Sequence, residues 1–281
     1  MTLPAGTERP SSDALAEPPA TASAPDGSSG LTLPNGLRLC LGSRQMIPAA
    51  NYVVEEVFVE RQYARDGFAI GETDTVVDVG ANMGIFALWA APQAPRGRIL
   101  SIEPIPELAD CLDASLRENS ISNVSVVRNA LGRPGAKIEL CYYPGFNIIS
   151  HQSDFRRPAY ARAKMYLKNF RTWSRPARVE ARCVSLGGLL DDRGVERVNF
   201  LKIDCEGGEY EVMRGMRPQD WRRIDQLVVE FHEYRKDQDH TEIVRILEGN
   251  GFEVAIEKDP VTYRLMRFGT IWAKRRRPWN F

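Results

Sequence analysis

Apolar positions along this chain recur with two periods, and the periods alternate. Thr75, Val76, Val77 and Val79 form a short β-branched run that stops at Gly80, which predicts a buried strand. The segment 85–91 is apolar on most sides and is halted near Pro92, as expected of a helix packed on a sheet. A strand follows over 98–103, then a helix over 107–119 with Leu108, Leu112 and Leu116 on one face, then a strand over 124–128. Further strands are predicted over 137–143 (peripheral), 198–204, 226–232, 252–256 and 268–273, with a short helix over 208–215. Asp239 and Glu242 make a capping-box-like start to a helix whose apolar face is Ile243, Ile246 and Leu247, and Gly249-Asn250-Gly251 stops it. Strands alternating with helices predict an α/β fold built on a doubly wound parallel sheet.

Three segments stand outside this rhythm. Residues 1–30 are rich in Pro, Ala, Ser, Thr and Gly, with almost no large apolar side chains. Such a composition cannot offset its ordering entropy by burial, so a disordered tail is expected, leaving 31–281 as one domain. Within 31–75, a short strand is predicted over 37–41. Val53, Val57, Glu60, Tyr63 and Ala64 recur at helical spacing, with Gly67 as the stop. The stretch 144–182 is far longer than an ordinary connection. Between 155 and 182 it holds nine Lys and Arg against Glu180 alone, a local charge of +8, with Phe155, Tyr160, Tyr166, Phe170 and Trp173 interleaved. An insert of that kind is expected to form a lid over an acceptor that carries an anionic group.

Composition narrows the functional classes. The 37 basic and 37 acidic residues cancel, which weakens a general nucleic-acid binder. Five cysteines at 40, 111, 141, 183 and 205 are odd in number, widely spaced and without a CxxC pair. Reduced thiols in a cytoplasmic protein fit that pattern better than a disulfide or zinc framework. No run of 18 apolar residues and no basic-then-apolar leader is present, so no membrane partner is expected.

Candidate chemistry sits at the ends of the predicted strands. Asp78-Val79-Gly80-Ala81-Asn82-Met83-Gly84 runs from strand through a glycine turn into a helix, exposing backbone N–H groups to a ligand. It lacks the GxGxxG of a nicotinamide site, and the acid before Gly80 suits a ligand with a positive end, such as the sulfonium of S-adenosylmethionine. Glu103 ends the next strand about 20 residues on, where a carboxylate can accept both ribose hydroxyls. Lys202-Ile203-Asp204-Cys205-Glu206-Gly207-Gly208-Glu209 follows a buried strand. A doubly wound order brings Asp204 beside Gly80, while Glu209 suits the N-terminus of the next helix. Glu230 and His232 share one strand face, because side chains alternate with period two.

Together the runs DVGANMG, Glu103-Pro104, Asn129-Ala130, LKIDCEGGEYEVMRG and VVEFH resemble the FkbM family of S-adenosylmethionine-dependent methyltransferases, over about residues 50–257. The resemblance implies a class I methyltransferase-like sheet of seven strands with helices on both faces and a final antiparallel pair. It implies that Asp78, Gly80, Asn82 and Gly84 line the methionine part of S-adenosylmethionine. Glu103 would hold the ribose, Asn129 would lie near the adenine, and Asp204 would sit by the reacting methyl. It also implies O-methylation of a small natural-product or glycan-like acceptor, at a hydroxyl or carboxyl.

Other outcomes stay open at this level. Nitrogen or carbon methylation uses the same chemistry. The basic aromatic insert suits stacking on bases, yet the Asp/Asn-Pro-Pro-aromatic signature of base amino methylation is absent, so nucleic acid is not the expected partner. A homo-oligomer is compatible with the chain. The expected catalytic residues are His232 as general base, Asp204 second to it, and Glu230 beside them. Asp204, Glu206, Glu230 and His232 could hold a divalent ion, but nothing in the spacing demands one, and metal-free activation is the expectation.

Overall fold

The computed structural model describes residues 29–65, 67–145, 147, 150–153 and 176–276. Strand β1 (Ser29–Thr32) pairs antiparallel with β2 (Arg38–Leu41). Ser29 and Gly30 lie opposite Leu41 and Cys40, so the fold begins two residues earlier than composition suggested. The rest of the expected tail, 1–28, lies outside the described residues.

Helix α1 (Ile47–Val54) starts ahead of the predicted span, with Pro48 in its first turn, where a missing N–H costs nothing. It runs into a single π turn, Glu55–Val59. Arg61 then takes a φ of 54°, so Tyr63 and Ala64 fall beyond the helix that the 53–64 pattern implied. Tyr63 is buried nonetheless, its ring centroid 5.0 Å from that of Phe86.

In chain order the remaining strands are β3 (Thr75–Val79), β4 (Arg98–Ile102), β5 (Val124–Val127), β6 (Ala130–Leu131), β7 (Lys137–Tyr142), β8 (His151–Gln152), β9 (Ala177–Val184), β10 (Val198–Ile203), β11 (Ile224–His232), β12 (Phe252–Glu257) and β13 (Phe268–Arg275). The helices after α1 are α2 (Ile85–Ala90), α3 (Pro106–Glu118), α4 (Leu186–Asp192), α5 (Glu209–Arg214), α6 (Pro218–Arg222), α7 (His240–Gly249) and α8 (Pro260–Met266). The central sheet has the order β12-β13-β11-β10-β3-β4-β5. β13 runs antiparallel to both neighbours and every other pair is parallel. The order reverses between β3 and β10, where a crevice opens at the carboxyl ends of the strands.

Alternation along the strands divides the core in two. Val76, Ile99, Phe200, Val228 and Trp272 point to the face covered by α1, α2 and α3. Val77, Leu100, Leu201, Val229 and Ala273 point to the face covered by α4, α5, α6 and α7. Each fully buried aliphatic or aromatic side chain on these faces contributes about 1.5–3 kcal/mol relative to exposure. The polar members of the first set, Asp78, Lys202 and Glu230, continue that face toward the strand ends.

A second, smaller sheet has the order β6-β9-β7-β8. The strand expected over 137–143 is peripheral, as predicted, and lies in this sheet rather than the central one. Within the 144–182 stretch, β8 pairs antiparallel with β7, and β9, which begins at Ala177, pairs antiparallel with β7 on its other side. The basic and aromatic run that prompted the lid, residues 154–175, lies outside the described residues, as do residues 146, 148 and 149. Helices α4, α6 and α8 were not anticipated. Among the described residues, no helix is long and apolar enough to cross a membrane.

Candidate active site

At the carboxyl end of β3 the chain turns on Gly80 (φ 78°) and enters α2 through Gly84 (φ 94°). A Cβ on Gly80 would stand 1.8 Å from the Asp204 carbonyl oxygen. The loops after β3 and β10 therefore touch, as the reversal of strand order requires. A Cβ on Gly84 would stand 2.3 Å from Leu112 Cδ1, so this glycine serves the packing of α2 on α3 and is not on the cavity wall. Gly80→Ala is expected to lower the melting temperature more than Gly84→Ala. A leucine side chain can give way at an overpacking cost of about 1–3 kcal/mol, whereas a backbone carbonyl held in a turn cannot. Equal shifts in thermal melting would show that the Gly80 turn is free to move.

A cavity of about 560 Å³ lies over these loops. Gly80, Ala81, Asn82, Met83, Glu103 and Pro104 line one end. Asn82 has a φ of 53°, which asparagine tolerates, and its side-chain oxygen accepts the Met83 N–H at 2.8 Å. Glu103 is 4% exposed. One of its oxygens accepts the Asn82 N–H and the other the Ile105 N–H, each at 2.8 Å. A carboxylate offers about four acceptor positions, so two backbone donors orient the group and leave each oxygen a further lone pair. That donor-poor, oriented carboxylate fits the diol of a ribose. Burial pushes the Glu103 carboxyl up to about 7, with the two backbone N–H groups holding it back.

Asp78 stands behind this wall and not on it. Its carboxylate is fully buried and accepts from Lys202 Nζ at 3.0 Å, and the same ammonium donates to the Gly80 carbonyl at 3.0 Å. Register places Lys202 directly beside Asp78 on neighbouring strands. Burial works against the ammonium, but Asp78 and Asp204 hold it above its ordinary value. Burial also pushes Asp78 up while Lys202 pulls it down; at this separation the pair is ionic. Asn129 is not brought to the cavity. Its amide donates to the Arg182 carbonyl at 3.4 Å and so ties β9 to the start of β6.

The other end of the cavity lies where β10 and β11 stop. Asp204, Glu230 and His232 meet there, as the strand order and the period-two face predict. His232 is 3% exposed. Its Nδ1 is 3.1 Å from Glu209 Oε1, and its Nε2 is 3.4 Å from Glu230 Oε1 and 3.8 Å from Glu206 Oε2. Burial opposes charge on the ring, but Glu206 and Glu209 hold its pKa well above the ordinary imidazole value. His232, expected as the general base, thus lies at the cavity wall with Nδ1 on Glu209 and Nε2 toward Glu230. Burial, then Glu230, pushes half-buried Asp204 up to about 8, against the pull of Lys202 and His232. Glu230 goes the other way: burial raises it, yet the His232 hydrogen bond and charge hold it below the usual range.

Several residues of this end were not read from the sequence. Glu56, on the π turn, faces Glu230 and Asp204; burial and Glu230 push it up to about 9, and a hydrogen bond with Tyr52 holds it back. Gln62 Nε2 donates to Glu230 Oε2 at 2.7 Å, and the Tyr234 hydroxyl donates to Glu206 Oε2 at 2.7 Å. The only signal was an acid recurring among apolar residues at 53–60. Glu209 does close the turn before α5, accepting the Cys205 and Gly207 N–H groups, and it also anchors His232.

The profile described as the methyltransferase FkbM domain matches residues 78–254, from the acid before the glycine turn into β12. Over 246 residues the chain is 29% identical to the 31-O-demethyl-FK506 methyltransferase FkbM of Streptomyces tacrolimicus, covering 82% of this chain and 91% of that protein. Over 233 residues it is 28% identical to the AMB antimetabolite synthetase AmbE of Pseudomonas aeruginosa, covering 74% of this chain but only 11% of that much longer protein. The crystal structure of a methyltransferase FkbM from Methylobacillus flagellatus aligns with a TM-score of 0.48 at 14% identity, covering 83% of this chain and 56% of that one. With the profile spanning well over half of the chain, and its glycine turn at the reversal of a class I sheet, the protein belongs to the FkbM family of S-adenosylmethionine-dependent methyltransferases.

Proposed function

We propose that the chain methylates a hydroxyl oxygen on a small acceptor of the natural-product or glycan kind. The observation that carries this reading is the make-up of one continuous cavity: a diol-accepting carboxylate, Glu103, at one end and the carboxylates Asp204, Glu206 and Glu230 at the other. When bound, S-adenosylmethionine supplies an electrophilic methyl group on a positively charged sulfur. Glu103 would accept the ribose hydroxyls, the turn from Gly80 to Asn82, whose own N–H groups donate to the Ile102 carbonyl and to Glu103, would shape the wall along the methionyl half, and the far carboxylates would balance the positive sulfur. Asp204 and Glu230 accept a hydrogen bond from the acceptor hydroxyl, which aligns its oxygen and gives its proton somewhere to go. The apolar Met266 and Phe268 on the same wall help to exclude water.

A carboxylate or phosphate at the reacting end would be repelled by these acids, which favours hydroxyl over carboxyl and weighs against nucleic acid. An anionic group elsewhere on the acceptor still suits the basic insert. The relative named a 31-O-demethyl-FK506 methyltransferase supports oxygen as the acceptor atom. The test is transfer of labelled methyl onto matched hydroxyl, carboxyl and amine forms of candidate scaffolds. Label on the hydroxyl form is expected, and label on the amine form alone would overturn the oxygen reading. Glu56→Gln is expected to raise the KM for the acceptor at least a few-fold while leaving affinity for S-adenosylhomocysteine within about twofold, since Glu56 faces only the acceptor end. An effect confined to S-adenosylhomocysteine binding would place Glu56 elsewhere.

A further inference from the structure

Two groups of acids and histidine could offer a metal ion convergent ligands: Asp204 with Glu230 and His232, and Glu233 with Asp239 and His240. They differ in what else holds them. In the second group, Glu233 already accepts the His240 N–H at 3.0 Å, the His240 ring at 2.7 Å, the Tyr263 hydroxyl at 3.0 Å and the Arg267 guanidinium. Lys258 Nζ lies 2.9 Å from His240 Nε2, and none of the three lines the cavity. That group is a closed network with a cation of its own.

The first group is open and aimed. One atom from each of Asp204, Glu230 and His232 lies within 4.8 Å of the others, and all three line the cavity. Glu209 is fully buried and accepts two backbone N–H groups, so it acts as an acceptor and fixes the proton of His232 on Nδ1. Nε2 is thereby the ring atom turned toward Glu230. Gln62 holds Oε2 of Glu230 from outside and leaves Oε1 facing His232. Orientation of a ligating imidazole and a ligating carboxylate by outer hydrogen bonds is the usual support of a metal centre. Charge points the same way: Glu56, Asp204, Glu206 and Glu230 share this end, and the ammonium beside them, that of Lys202, lies closest to Asp78 and the Gly80 carbonyl at 3.0 Å each and reaches Asp204 Oδ2 only at 3.7 Å.

We propose that Asp204, Glu230 and His232 form a site for one divalent cation of the Mn²⁺ or Mg²⁺ kind at the acceptor end of the cavity. Two carboxylates and one imidazole suit Mn²⁺ best, since carboxylates favour hard ions and imidazole favours transition metals. Three protein ligands leave positions open toward the cavity. An acceptor hydroxyl bound there would be held beside the methyl donor and made more acidic; that use of the ion rests on the oxygen reading above, whereas the site itself does not.

The test is a titration of chelator-treated, dialysed full-length protein with Mn²⁺ alone, following free ion by electron paramagnetic resonance. One Mn²⁺ per chain is expected, with a dissociation constant of about 10⁻⁴ M or tighter. Asp204→Asn and Glu230→Gln, both isosteric, are each expected to weaken it by about tenfold or more. Asp239→Asn, which can still cap α7, is expected to leave it unchanged. No stoichiometric binding by the wild type up to about 1 mM Mn²⁺ overturns the proposal without reference to any variant. So does binding that both isosteric variants retain, or that only Asp239→Asn loses. Because neither methyl donor nor acceptor is present, a failed titration leaves methyl transfer to oxygen standing, and failure of that reading leaves the titration result standing.

Discussion

Lys202→Met is expected to lower folding stability by about 3–5 kcal/mol, because it strips a buried charge of its partner. The methionine fills most of the volume but leaves the Asp78 carboxylate, fully buried, with no cation. It also removes the donor to the Gly80 carbonyl and the ammonium resting 5.8 and 5.7 Å from the Tyr63 and Phe86 ring centroids. Urea denaturation measures it. The loss is expected to grow as pH rises, because an unpaired Asp78 can escape its penalty only by taking up a proton. The double variant Asp78→Asn, Lys202→Met is expected to recover much of the stability, since it leaves no charge at either of these two positions. A loss below about 1 kcal/mol in the single variant would mean that the ammonium is not what compensates Asp78.

The second large effect concerns pH and the methyl donor. Glu103 is raised from 4.5 to about 7 in the folded protein, chiefly by burial. Below about 4.5 the carboxyl is neutral in both folded and unfolded chains, so it carries no penalty. As pH rises from there to about 7, the unfolded chain ionises first and folding loses stability, by about 3 kcal/mol in all; above about 7 the loss is constant. Cofactor binding has the opposite sign. The ionised carboxylate is the better acceptor of two ribose hydroxyls, so affinity for S-adenosylhomocysteine is expected to rise by up to tenfold per pH unit toward about 7 and then level off. Calorimetry across pH measures this. Glu103→Gln is expected to remove this rise, and Glu103→Ala to cost about 1.5–3 kcal/mol of binding above pH 7. An identical pH profile in wild type and Glu103→Gln would withdraw the ribose assignment.

What could be read from the sequence follows from the range of the forces involved. The central sheet was legible because Val76, Val77 and Val79 in one strand and Leu201 and Ile203 in another are buried on both faces, and such strands are nearly continuous apolar runs. The meeting of Gly80 with Asp204 was legible because strand order alone decides which strand ends are neighbours. The second sheet was missed although β9 does alternate: Val179, Ala181 and Cys183 against Arg178, Glu180 and Arg182. Its arginines were counted with the basic insert instead. Helices α6 and α8 had local signs, Pro218 after Arg217 and Pro260 after Asp259, the latter with an Asp259 cap on the Thr262 N–H.

The site divides in the same way. Residues fixed by one strand end, such as Glu103, Glu230 and His232, fall where the pattern puts them. Residues whose role depends on distant partners do not. Gly84 answers to Leu112, and Asn129 answers to Arg182. The protonation of His232 answers to three glutamates from two segments, and Glu56, on the π turn that follows α1, meets Glu230 of β11, which lies far away in the chain. No spacing rule in a single sequence carries those contacts.

The central claim is that one cavity holds the methyl donor at its Glu103 end and the acceptor at its Asp204 end. A crystal structure of the full chain with S-adenosylhomocysteine tests it most directly. The account predicts the ribose hydroxyls on the Glu103 carboxylate, the homocysteine half along Gly80 to Asn82, and the sulfur facing the space between Asp204 and Glu230. A nucleoside bound away from Glu103, or a sulfur directed away from Asp204 and Glu230, would contradict it.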